Sequence, residues 1–83
     1  MKITFEKIGS NKYKYCLIWA GNGTIENPKY CIANFSNKKN VVKILNFLVW
    51  YQKSFGDFDN VNDCAARLVN ACSQSKISYE FGI

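Results

Sequence analysis

Two periodicities divide the chain. Near its start Ile3 and Phe5 alternate with Lys2, Thr4 and Glu6, which predicts a strand over 2–8. Gly9-Ser10-Asn11 then carries turn chemistry. Residues 12–20 alternate again, Tyr13, Tyr15, Leu17 and Trp19 to one side and Lys12, Lys14, Cys16 and Ile18 to the other. Asn22-Gly23 is a strong hairpin signal, because both residues tolerate positive φ. Pro28 cannot donate to a ladder, so a third strand is expected after it, over 29–35.

From Ser36 onward the period changes to that of a helix. Ser36 or Asn37 supplies a cap, and Gly56 a stop. Between them Val41, Ile44, Leu45, Leu48, Tyr51 and Phe55 fall on one face. Val42 and Val49 widen that face, while Phe47 and Trp50 lie towards its edges. Asn60 and Asp63 form a second cap, opening a helix over 61–74 that buries Val61, Cys64, Ala65, Leu68 and Cys72. Ile77, Tyr79, Phe81 and Ile83 then alternate with Ser78, Glu80 and Gly82 in a last strand. The pattern predicts an α+β fold of order β-β-β-α-α-β, with an antiparallel four-stranded sheet and two helices on one face. The last strand is expected beside the first. Leu17, Trp19, Phe5 and Phe81 are expected to face the helices.

Eighty-three residues suit one domain spanning 1–83, with a modest core. Hydrophobic residues make up 48% of the chain and aromatics 16%, enough to exclude disorder. No apolar run reaches a membrane span, and the first residues lack a signal peptide's apolar stretch, so a cytoplasmic protein that does not engage membranes is expected. The net charge of +5 is unevenly distributed. Residues 1–53 carry nine Lys against Glu6 and Glu26, a balance of +7, and residues 54–83 balance at −2. A basic half suits an acidic partner. The preference for Lys over Arg and the abundant Asn fit an AT-rich genome, bacterial or viral.

The chemistry available is narrow. The chain has no His, which removes the commonest general base and metal ligand. Cys16, Cys31, Cys64 and Cys72 form no Cys-x-x-Cys pair, so no zinc site is expected. Cys64 and Cys72 lie at core spacing on the second helix. Cys16 and Cys31 lie on neighbouring strands and could be opposed, but in a reducing cytoplasm the expectation is four free thiols. Asp57, Asp59 and Asp63 are explained by turns and capping and lack a calcium loop's other ligands. Gly21-Asn22-Gly23-Thr24 lacks the Lys-Ser/Thr of a phosphate loop. No cofactor, metal or catalytic set is expected.

These features point to a non-enzymatic protein that acts by binding another protein. Size and composition suit a phage or mobile-element inhibitor of a host nucleic-acid-handling complex, such as a defence complex (anti-CRISPR-like). The candidate contact residues are Lys12 and Lys14 on the sheet, Lys38, Lys39 and Lys43 on the first helix, and Trp50. The alternative is direct nucleic-acid binding through the same lysines, with Arg67 as the one arginine. Phe47 and Trp50 off the core stripe also suggest homodimerisation.

Overall fold

The computed structural model describes residues 2–9, 12–21 and 30–82, so the Asn22-Gly23 turn and Pro28 lie outside the described residues. The elements run β1 (Lys2–Lys7), β2 (Tyr15–Gly21), β3 (Tyr30–Phe35), α1 (Lys38–Phe55), α2 (Val61–Ser75) and β4 (Glu80–Phe81). The strands form one antiparallel sheet in the order β1-β2-β3-β4. The α+β class and the β-β-β-α-α-β order are those the periodicities implied. No helix among the described residues is long and apolar enough to cross a membrane.

One hydrophobic core joins sheet and helices. Ile3, Leu17, Trp19, Ile32, Ala33 and Phe35 from the strands are buried with Val41, Ile44 and Leu48 of α1 and with Cys64, Leu68 and Cys72 of α2. The helices begin where their caps predict. Asn37 Oδ1 accepts from Asn40 N–H at 2.9 Å, and Asn60 Oδ1 accepts from Asp63 N–H at 3.0 Å. Gly56 ends α1 at φ 95°, a conformation that favours glycine, and its N–H donates to Gln52 O. Phe55, expected in the core stripe, is instead exposed. It has the right helical phase, but it is the last residue of α1, two turns beyond the last buried position of the helix, Leu48.

The strands depart from expectation in three places. β2 begins at Tyr15, not at Lys12. Lys14 N–H donates to Phe35 O and Lys14 O accepts from Ile8 N–H, so this backbone unit turns to both neighbours. A regular strand residue directs both groups to one side. Second, β3 carries a bulge: Leu17 pairs with Ala33, but Ile18 pairs with Cys31, leaving Ile32 as the extra residue. Ile32 and Ala33 are therefore both buried in the core, and Cys31 stands on the opposite face beside Ile18. Third, β4 is not beside β1 and is only two residues long. It pairs with β3, Ala33 opposite Phe81 and Asn34 opposite Glu80. Only residues 76–79 join it to α2, and short connections keep sequential elements adjacent. Ile77 and Tyr79 pack against the core before pairing starts, while Phe81, opposite Ala33 and so on the helix-facing side as expected, stays exposed at the sheet edge.

Cys16 and Cys31 form a disulfide, with Cα atoms 6.1 Å apart. The expectation of four free thiols is corrected at these two positions. The bulge explains why: it sets Cys31 diagonal to Cys16, whose own cross-strand partner is Asn34, within disulfide reach. Such a bond persists where the surroundings are oxidising. With a separation of 15 residues it stabilises the fold by about 3 kcal/mol through loop closure. That is a large share for so short a chain. Cys16 and Ile18 are buried although they point away from the helices, so the outer sheet face has no exposed apolar centre at these positions.

Gly82 closes the edge beside the disulfide. Its N–H donates to Ile32 O at 2.9 Å, and a Cβ built there would fall against Cys31 O and 2.7 Å from Cys31 Sγ. Gly9 has nothing within 4 Å of the same construction. We expect Gly82→Ala to destabilise the oxidised protein by about 1–3 kcal/mol, as overpacking does. Gly9→Ala should stay within about 0.5 kcal/mol of the parent. Urea denaturation without reductant measures both.

Candidate protein-interaction site

The outward side of α1 repeats a second, polar stripe. Lys39, Lys43, Asn46, Trp50 and Lys53 are spaced by four, three, four and three residues, and all are exposed. The helix contains no acidic residue, so its four lysines are not neutralised within it. Trp50 sits in this basic stripe with 54% of its surface exposed, and Phe55 nearby has 68% exposed. Isolated exposed apolar residues are ordinary, whereas here two large exposed rings are neighbours.

These rings are held from below. Trp50 meets Phe47 at 5.9 Å and Phe55 edge-on at 5.9 Å between centroids. Tyr51 contacts Phe55 at 4.8 Å and lies parallel to Phe58 at 5.3 Å. Phe58 is buried and reaches Trp19 in the core at 6.4 Å. A continuous run of rings thus connects the exposed pair to the centre of the protein. Side chains fixed in this way lose little rotamer freedom when a partner covers them.

Beyond Phe55 the α1–α2 connection opens into a cleft of about 490 Å³. Tyr51, Phe55 and Phe58 give it aromatic walls, and Asp57, Asp59 and Asp63 contribute three carboxylates. The Arg67 guanidinium lies 4.9 Å over the Tyr51 ring, a cation–π arrangement that props the wall. The site is therefore two-signed: lysines along α1, exposed rings at its end, acids round the cleft.

The structure brings together Lys39, Lys43 and Trp50 from the sequence-derived set. Lys38 is exposed in the first turn of α1 but lies off the stripe by helical spacing. Lys12 and Lys14 are exposed in the segment leading into β2, not on the strand itself; Lys12 Nζ sits 5.4 Å from the Tyr13 ring. Tyr15 packs with Phe5 on the helix side, unavailable for stacking on an outer sheet face. Lys53, Phe55 and the cleft were missed. The spacing 39-43-46-50-53 could have revealed Lys53, whereas Phe55 required knowing where the buried stripe of α1 ends.

The two remaining thiols belong to the core. Cys64 and Cys72 are fully buried, and burial pushes their pKa values up to about 12 and about 11. Nucleophilic cysteine needs the thiolate, so both are inert in the folded state. Among the described residues no three of His, Cys, Asp and Glu gather as a metal-binding group. No protein-family profile, no curated protein and no solved structure matches the chain.

The thiols give a pH test. Their folded pKa values exceed the ordinary value of 9.0, so unfolded chains release protons first and stability falls as pH rises above about 9. We expect native protein at pH 8 to take up no iodoacetamide, and denatured unreduced protein to take up two equivalents, read by intact mass. Cys64→Ala should flatten part of the stability loss between pH 9 and 11, at the cost of a cavity.

Proposed function

We propose that this protein works as a binding module, engaging another protein through the exposed side and C-terminal end of α1. One observation carries the reading: Trp50 and Phe55 stand exposed on a ring cluster rooted in the core, bordered by charges of both signs. Rigid aromatic anchors supply most of the binding energy in protein interfaces, with charged rims guiding approach and register. The fitting partner presents an apolar slot for Trp50 and acidic groups opposite Lys39, Lys43 and Lys53. A host nucleic-acid-handling complex, of the kind inhibited by phage or mobile-element proteins, is the partner class we put forward. The absence of His and the raised pKa values of both free thiols support a role without catalysis.

The two-signed border favours a protein over bare nucleic acid as the direct contact. Lys39, Lys43 and Lys53 suit phosphates, but Asp57, Asp59 and Asp63 beside the same rings repel them. Capture of partners from lysates, with and without nuclease, separates the cases. A protein partner retained after nuclease supports the proposal. Retention of nucleic acid alone, with affinity falling steeply as salt rises, overturns it.

Trp50→Ala should weaken binding of the captured protein about 30-fold, the effect of losing one anchor worth about 2 kcal/mol. Its melting temperature should stay near the parent's, because the ring is largely exposed. Reversing Lys39, Lys43 and Lys53 to Glu should chiefly slow association. Surface plasmon resonance reads both effects.

A further inference from the structure

The strand order leaves β1 at one edge of the sheet, and its phase against β2 decides what that edge offers. Ile8 N–H donates to Lys14 O at 2.7 Å. That bond flanks the Lys7–Tyr15 pair, which is therefore of the non-hydrogen-bonded kind. By alternation Phe5–Leu17 and Ile3–Trp19 are of the same kind, while Glu6–Cys16 and Thr4–Ile18 exchange backbone bonds. The N–H and C=O groups of Ile3, Phe5 and Lys7 thus point away from β2, along the outer edge. Among the described residues no strand pairs with that edge.

Sheets protect such edges with proline, bulges, very short strands or inward charges. β1 is six residues long and contains no proline. The extra residue of its irregularity, Ala20, belongs to β2 and not to β1. Its charged residues, Lys2, Glu6 and Lys7, stand towards its two ends and leave Ile3, Thr4 and Phe5 uncharged between them.

We propose that β1 pairs antiparallel with β1 of a second copy of this chain, about a two-fold axis through Thr4, forming one eight-stranded sheet. The register is self-complementary. Ile3 opposes Phe5 of the second copy, and Phe5 opposes its Ile3, each pair exchanging two backbone hydrogen bonds through the outward groups. These pairs extend the helix-facing apolar layer across the seam. On the outer face Thr4 meets Thr4, a favourable cross-strand pair. Moving the axis to Phe5 would set Ile3 against Lys7 and Thr4 against Glu6, which loses both matches. The axis stands perpendicular to the sheet, so both helical layers lie on the same face. The helix packed on β1, α1, is then the element nearest the seam. Its flank turned from Tyr51 carries Val42, Leu45 and Val49, each half-buried within one chain, and a neighbouring α1 would cover them further.

Sedimentation equilibrium across the micromolar range tests this. The expected result is a shift from 9.5 kDa towards twice that mass as concentration rises. Amide exchange at Ile3 and Phe5 should slow over the same range, while Thr4 and Glu6, bonded to β2, stay protected throughout. Thr4→Cys should cross-link to itself on mild oxidation, because residues in such a pair have Cα atoms about 4.5 Å apart. Lys7→Cys, far from its copy in this register, should not. Thr4→Lys places like charges face to face and should weaken association about tenfold or more. A chain that sediments at 9.5 kDa throughout, with concentration-independent exchange at Ile3 and Phe5, overturns the proposal. So does a dimer in which those amides stay unprotected and Thr4→Cys fails to cross-link, which would place the contact on α1.

Discussion

The burial of Leu17 and Trp19 beneath Val41, Ile44 and Leu48 fixes the rest of the molecule. Side chains alternate along a strand, so once Leu17 faces the helices, Cys16 and Ile18 must face away. Cys16 is thereby placed on the face where the bulge delivers Cys31, and the disulfide follows from register. These three buried residues of α1 span two turns of the helix. An 18-residue helix is longer than that contact requires, and its C-terminal aromatic residues extend past the buried stripe. The exposed rings of the proposed contact lie on that excess length.

Much of this was legible in the chain. Helix periodicity identified Val41, Ile44 and Leu48, and short polar residues before each helix located Asn37 and Asn60 as caps. Alternation located β1, β2 and the inward side of Leu17 and Trp19. These are local signals, fixed by geometry within a few residues. The misplacements are non-local. The extra residue at Ile32 has no signature in a run as uniformly apolar as Cys31-Ile32-Ala33, and the Cys16–Cys31 pair, open on strand geometry, was set aside only on the expectation of a reducing cytoplasm. The last strand's alternation is real, yet Ile77 and Tyr79 bind the core, leaving only Glu80 and Phe81 to pair.

At the candidate site the divide is similar. Trp50 was visible as an aromatic residue off the core stripe, and Lys39 and Lys43 as basic residues on the same helix. Phe55 has core phase and was counted as core, because phase does not tell where a supporting surface stops. Lys12 and Lys14 alternate as strand residues but precede the strand, since Lys14 bonds to both neighbours. What emerges is a small domain whose two edges differ: β4 sits beside a disulfide and a tightly packed glycine, and β1 is paired on its outer side with no strand among the described residues.

The two tryptophans allow the central claim to be read directly. Trp19 is buried in the core and Trp50 stands at the proposed contact. A Trp19→Phe variant reports from Trp50 alone, provided its fold is verified by circular dichroism. The measurement is acrylamide quenching of that fluorescence, free and saturated with the captured partner. Free protein should show a red-shifted, readily quenched emission, and the complex a blue-shifted emission that quencher hardly reaches. A complex in which Trp50 remains as red-shifted and as quenchable as in the free protein would contradict binding through α1.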